Sequence, residues 1–293
     1  MVVAIAASSS GNSGGATLLG ALAFTGFFVA AVVASGYQTL RRRATRDESA
    51  YRGPSPFLVF GAVFAAANVI AVLIHAAGLS GGLSQAGAVL LSVGVVVPLY
   101  AGSVLFLVVR EDALSWRAMG WPPFWTRSPR VAADFAYGVG LAVPTVLLTL
   151  VVATLFSLVL GVREPDLLPV PVTPADWFVD VLVAVVLAPF GEELFFRGFA
   201  QTAWMLDIGP RSALLRAALF FAIVHVLNVS GGDFSEGARL AIAVAAARIP
   251  VALALGWVFS RTGSIASSLG LHAAFNGVTL ILFALVSSGA SPG

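Results

Sequence analysis

Long uninterrupted apolar runs are the dominant feature of this 293-residue chain. A bilayer core about 30 Å thick takes roughly 20 helical residues to cross. Apolar runs of that length lie near 16–40, 57–79, 86–109, 131–160, 177–203, 212–229, 237–259 and 264–287. Continuous runs favour helices over a β-barrel, whose strands would alternate apolar and polar residues. The sequence therefore predicts an all-α integral membrane protein, a bundle of about eight transmembrane helices.

Composition and charge agree with a membrane location. Hydrophobic residues make up 59% of the chain and charged residues only 10%, which excludes an ordinary water-soluble domain. The net charge of +2 is small and gives no support for a nucleic-acid partner, so the lipid bilayer is the expected surrounding. Cysteine is absent, which excludes disulfides, thiolate metal sites and cysteine nucleophiles.

Arginine placement predicts the orientation of the chain. All 16 basic residues are arginine, and most lie in alternate connections between the predicted helices. These are Arg41, Arg42, Arg43, Arg46 and Arg52, then Arg110, Arg117, Arg127 and Arg130, then Arg211 and Arg216, and finally Arg261. The positive-inside rule places those connections in the cytoplasm and both termini outside. The first run is too long for a signal peptide and is expected to be a retained helix.

Polar residues concentrate in the second half of the chain. The first four predicted helices hold little beyond Asn68, His75 and Asp134, and we expect Asn68 and His75 to form interhelical hydrogen bonds. The fifth predicted helix instead contains "GEELFFRG", with Glu192, Glu193 and Arg197. A charge at bilayer depth costs roughly 2.5–3.5 kcal/mol on insertion scales, so such residues indicate a functional site.

Spacing separates the two carboxylates. Glu193 and Arg197 stand at positions i and i+4, which predicts an ion pair on one helix face. Glu192 is rotated by about 100° from Glu193 and is left available for chemistry. At about 1.5 Å per residue, His225 and the pair His272 and Asn276 fall at a depth similar to Glu192, toward the cytoplasmic side.

Three motifs carry a family resemblance. "EELFFR", "FAIVH" and "HAAFN" resemble, in order and spacing, the EExxxR, FxxxH and HxxxN/B motifs of the CPBP family. That family includes type II CAAX prenyl endopeptidases and bacterial proteins linked to bacteriocin processing and self-immunity. The resemblance covers roughly 175–287, whereas residues 1–170, with about four helices, resemble no family that we can name.

The resemblance implies an intramembrane endopeptidase that hydrolyses a peptide bond of a membrane-associated protein or peptide, in a membrane expected to be the cell membrane of a bacterium. It implies that Glu192 and His225 activate water, that His272 and Asn276 stabilise the oxyanion, and that Glu193 and Arg197 support the helix.

A zinc-dependent version would use Glu192, His225 and His272 as ligands, with water in the fourth position. The HExxH helix is absent and the two histidines are 47 residues apart, so metal-free water activation without a cofactor is preferred. A proton-relaying transporter and a non-catalytic immunity or scaffold protein remain as alternatives from other classes.

Arg248 matches none of the three motifs. It lies about 16 Å from the outer end of its predicted helix, two residues before Pro250, which disrupts the local backbone hydrogen bonding. One interpretation is a structural ion pair with an acidic residue of the fifth predicted helix, with Glu193 the first candidate. The other is a substrate-binding residue, because arginine binds carboxylates through two parallel hydrogen bonds.

Overall fold

The computed structural model describes residues 51–289, with gaps at 80, 122–128, 164–170, 172, 228 and 230. The predicted helix at 16–40 and the arginine cluster of Arg41, Arg42, Arg43 and Arg46 lie outside the described residues. Within the described ranges the regular elements are helices, and no strand is found. The all-α fold predicted from the sequence is confirmed.

The described helices follow the predicted apolar runs closely. They are α1 (Pro56–Ala76), α2 (Gln85–Val109), α3 (Pro129–Gly140), α4 (Ala142–Leu160), α5 (174–208), α6 (Pro210–Val224), α7 (Phe234–Thr262) and α8 (Ile265–Gly289). Five segments of the described chain are long and apolar enough to cross a membrane: α1, α2, α3 with α4, α7 and α8. The protein is therefore an all-α membrane protein, and the count of eight spans stays a prediction.

Helix α5 has an irregular backbone around the paired carboxylates. Two π-helical segments, Leu182–Leu187 and Leu194–Gln201, enclose the short α-helical segment Ala188–Glu193. Thr173 begins α5 with a capping box, in which its side chain and that of Asp176 each bond the other's backbone amide. Because π-helical segments occur frequently at functional sites, their position on both sides of Glu192 and Glu193 singles out this turn.

Helix α5 lies at the centre of the second half, in contact with α2, α6, α7 and α8. Its polar side chains bond backbone oxygens of α7: Arg197 Nη2 donates to Ala252 O at 3.3 Å, and Gln201 Nε2 donates to Gly256 O at 2.9 Å. Gln201 Nε2 also donates to Ser260 Oγ at 2.8 Å. Interhelical hydrogen bonds of this kind fix one membrane helix against another, so α7 holds α5 in register.

Small residues allow α3 and α8 to cross closely. A Cβ atom added at Gly138 would collide with the backbone oxygen of Ser267, and one added at Gly270 would collide with the backbone oxygen of Phe135. Without side chains at these two positions the backbones approach each other directly, as is common between membrane helices. This crossing sets the position of α8, which carries His272 and Asn276.

Asn68 of α1 does not behave as predicted. Asn68 and His75 are both exposed in the described part of the chain, and Asn68 Nδ2 donates to Phe64 O of its own helix at 2.8 Å. The predicted interhelical bond of Asn68 is therefore replaced by an intrahelical one. A side chain amide one turn after a backbone oxygen meets it without any neighbouring helix.

Candidate active site

The two adjacent carboxylates of α5 are both buried, and His272 of α8 lies close to each of them. Glu192 is 6% exposed and Glu193 is fully buried. Glu193 Oε1 accepts hydrogen bonds from Arg197 Nη1 at 2.9 Å and from His272 Nδ1 at 2.7 Å. The predicted ion pair with Arg197 is thus present, and a second partner from α8 joins it.

His272 lies between the two carboxylates. Its Nδ1 bonds Glu193, and its Nε2 lies 3.8 Å from Glu192 Oε2. Because the carboxylate of Glu193, which also pairs with Arg197, accepts this hydrogen bond, Nδ1 carries a proton. His272 therefore presents Nε2 to the same region as the carboxylate of Glu192.

His225 closes helix α6. The helix ends at Val224, five residues before the predicted limit of 229. The His225 amide bonds Ala222 O, three residues back, and its ring Nδ1 bonds Phe221 O at 2.6 Å. Because a carbonyl oxygen only accepts hydrogen bonds, Nδ1 is the protonated nitrogen and Nε2 keeps its lone pair. The side chain thus caps its own helix and ends it early.

Phe221 contacts three of the motif residues. The Arg197 guanidinium lies over its ring at 4.4 Å from the centroid. The ring centroids of His225 and His272 lie 4.4 Å and 6.0 Å away. Phe221 is the first residue of the FxxxH motif, and the sequence alone predicts no role for it. In the structure it is the apolar wall that brings α5, α6 and α8 together.

Asn276 contacts the backbone of α5. Its Nδ2 donates to Ala184 O at 2.7 Å. The Ala188 amide bonds Val183 O in the π-helical register, and the next amide in that register, which would reach Ala184 O, belongs to Pro189 and has no hydrogen. Asn276 therefore satisfies a carbonyl that Pro189 leaves unpaired. One of its two amide hydrogens stays available for another acceptor.

One stretch of the chain matches a known protein family. Residues 174–278 match a type II CAAX prenyl endopeptidase Rce1-like family. The chain matches no curated protein and no solved structure at a significant level. The resemblance predicted from the three motifs is confirmed for this stretch, which we call the Rce1-like region.

The Rce1-like region contains every residue of the predicted site. The described contacts link Glu192, Glu193, Arg197 and His272 directly, whereas His225 joins them through Phe221. Glu192 also interacts electrostatically with both His225 and His272. The family match does not extend to helices α1 to α4.

Arg248 of the Rce1-like region does not form the predicted ion pair with Glu193. In the described structure Glu193 Oε1 bonds Arg197 and His272, and Glu193 Oε2 has no hydrogen-bond partner. Arg197, four residues further along the same helix, is the ion-pair partner of Glu193 instead. Arg248 is half-buried on α7 and acts electrostatically on His225, so its charge lies near the candidate site.

The donor atoms of the Rce1-like region do not fit a metal ion as they stand. Among the described residues no three His, Cys, Asp or Glu side chains are grouped so that they could hold one. Nδ1 of His225 and Nδ1 of His272 are engaged with Phe221 and Glu193, and His272 Nε2 stands 3.8 Å from Glu192. We therefore derive no chemical step through zinc.

Proposed function

We propose that this protein is an intramembrane endopeptidase in which Glu192 and His225 activate a water molecule without a metal. The supporting observation is the buried carboxylate of Glu192, which lies 3.8 Å from His272 Nε2 in a cluster that His225 joins through Phe221, inside a region that matches an endopeptidase family. The substrate in this proposal is a membrane-associated protein or peptide. The hydrogen bonds of each site residue indicate its role in the reaction.

Glu192 is the general base in this proposal. It takes a proton from water while the water oxygen bonds the carbonyl carbon of the scissile peptide. His225 Nδ1 is committed to Phe221 O, so Nε2 accepts a hydrogen bond from the same water and orients it. The proton then passes to the amide nitrogen as the C–N bond breaks, giving a carboxylate and a free amine.

His272 and Asn276 stabilise the oxyanion in this proposal. Since Nδ1–H of His272 is held by Glu193, only a doubly protonated ring can also donate from Nε2. Asn276 donates its remaining amide hydrogen, while the bond to Ala184 O holds the side chain in place. Glu193 thereby supports both Arg197 and His272.

A first prediction concerns metal dependence. Purified wild-type protein should contain less than one zinc per ten chains by elemental analysis, and cleavage of a prenylated peptide ending in a CAAX sequence should persist in excess chelator. The physical reason is that, among the residues that the structure describes, no three His, Cys, Asp or Glu side chains are grouped so that they could hold the ion. Stoichiometric zinc, with activity lost on removal and regained on zinc addition, would establish the zinc-dependent version instead.

A second prediction concerns Arg248, which we propose binds the free carboxylate at the end of the substrate. It is half-buried on α7 and acts electrostatically on His225, and bidentate arginine pairing is selective for carboxylates. Arg248→Met should raise KM for peptides with a free C-terminus by about 10-fold and leave KM for amidated peptides unchanged. Arg239→Met, at an exposed arginine of the same helix, is the control. Equal KM changes for both peptides would contradict a carboxylate-binding role.

The arginine distribution also indicates where the protein lies and how it is oriented. We propose that the protein resides in a bacterial cell membrane with both termini outside and the site toward the cytoplasmic side, following the arginine distribution. Cysteine labelling at Ser287 and Ser115, in a chain with no native cysteine, tests this with a reagent that cannot cross the membrane. We expect intact cells to be labelled at position 287 and not at position 115. Labelling at position 115 would show that the orientation is opposite to the proposed one.

A further inference from the structure

Tyr100 is a buried side chain outside the Rce1-like region that no motif includes. It lies on α2 and is 1% exposed. Its hydroxyl has no hydrogen-bond partner among the residues that the structure describes. Buried polar groups in folded proteins are nearly always hydrogen-bonded, so a hydroxyl in this state requires an explanation. A phenylalanine would fill the same space without burying an oxygen.

The crossing of α2 and α5 determines what Tyr100 faces. A Cβ atom added at Gly191 would lie 3.0 Å from Val97 Cγ2, so α2 passes directly over the residue before Glu192. Val97 and Tyr100 are three residues apart and share one face of α2. Tyr100 therefore lies about one turn along α2 from the point of closest approach.

The aromatic contacts of Tyr100 place it on the same face of α5 as Glu192. Its ring centroid lies 4.7 Å from that of Phe195 and 6.3 Å from that of Phe196. These two residues follow Glu192 by three and four positions, the spacing of one helix face. Glu193 instead has its hydrogen-bond partners on α5 itself and on α8.

Charge supports this placement. The Tyr100 phenol and the Glu192 carboxylate are close enough to interact electrostatically. A phenol is a hydrogen-bond donor and an ionised carboxylate is an acceptor, and such a bond gains strength where water is excluded. Hydrogen bonds of catalytic groups are often long in free enzymes and shorten when substrate binds.

We propose that Tyr100 is a positioning residue whose hydroxyl donates a hydrogen bond to Glu192 in the substrate complex and orients the carboxylate toward the water. This inference rests on the proposed function of Glu192. It assigns part of the catalytic arrangement to α2, which lies outside the family match. Helix α2 would then be required for activity as well as for packing.

The test compares Tyr100→Phe with Tyr51→Phe in full-length protein, using a prenylated CAAX peptide as substrate. Tyr51 is equally buried, but its ring packs against Phe199, about two turns beyond Glu192. Tyr100→Phe should lower kcat by about 10–100-fold with KM changed less than about 2-fold. Its melting temperature should stay at or above the wild-type value, since the lost hydroxyl has no partner in the described structure. Tyr51→Phe should retain wild-type kcat.

The outcomes separate the two proposals when Glu192→Gln is measured beside them. Wild-type cleavage, an inactive Glu192→Gln and an unchanged kcat in Tyr100→Phe would overturn the role of Tyr100 alone. A Tyr100→Phe variant that lost kcat together with melting temperature would assign Tyr100 to packing and also overturn its role. Cleavage retained by Glu192→Gln would overturn the proposed function, and the role of Tyr100 with it.

Discussion

Glu192→Gln should lower kcat by about 10²–10⁴-fold, the range expected when a general base is removed. Glutamine keeps the volume of the side chain but cannot accept the proton from water. The variant should fold and insert normally, because the change removes a charge from a buried position and leaves a carbonyl oxygen behind. Steady-state cleavage of a prenylated CAAX peptide, with abundance and melting temperature measured in parallel, checks this expectation.

The control for Glu192→Gln is Glu236→Gln. Glu236 is an exposed glutamate in the first turn of α7 that accepts a hydrogen bond from Gly232 N and belongs to none of the site motifs, so its substitution should leave kcat unchanged. A Glu192→Gln variant that kept wild-type kcat would contradict the assignment of the general base. If the variant lost a biological immunity phenotype but the wild-type protein cleaved nothing, a non-catalytic membrane protein would be the better interpretation.

Glu193→Ala should have the largest effect on stability. It would leave the fully buried Arg197 guanidinium without its carboxylate, and breaking a buried ion pair from one side costs about 3–5 kcal/mol. It would also remove the acceptor of His272 Nδ1, so any protein that folds should have lower kcat. Thermal unfolding in detergent and the amount of inserted protein measure the first effect, and peptide cleavage measures the second.

A double variant separates these two roles of Glu193. Replacing both partners, as Glu193→Ala with Arg197→Met, removes the unpaired charge and should restore much of the melting temperature. Its kcat should stay low, because His272 still lacks the carboxylate that holds its proton. Recovery of activity together with stability would show that Glu193 only neutralises Arg197. No recovery of stability would show that the Arg197 contacts to Ala252 and Phe221 matter more than its charge.

Local patterns in the sequence predict those features of the fold that depend on residues close together along the chain. The apolar runs predicted α1, α2, α7 and α8 to within a few residues, because membrane thickness fixes helix length. The pairing of Glu193 with Arg197 followed from their i and i+4 spacing. The three motifs led to the family that residues 174–278 match.

Features that depend on contacts between distant segments could not be predicted in the same way. The bond between His272 and Glu193 joins positions 79 residues apart, and no spacing rule relates them. Helix α6 ends early because the His225 ring bonds Phe221 O. The apolar run continues past residue 225, so it gives no sign of this helix end. Asn276 reaches Ala184 O only because a π-helical register precedes Pro189. Pro189 was the one available signal.

The most direct test of the central claim is cleavage of a prenylated CAAX peptide by purified wild-type protein in ¹⁸O-labelled water with excess chelator, followed by mass spectrometry. We expect two products with one ¹⁸O atom in the new carboxylate, formed at the same rate with and without chelator, and no products from Glu192→Gln. Products formed equally by Glu192→Gln, or formed by the wild type only after zinc is added, would contradict it.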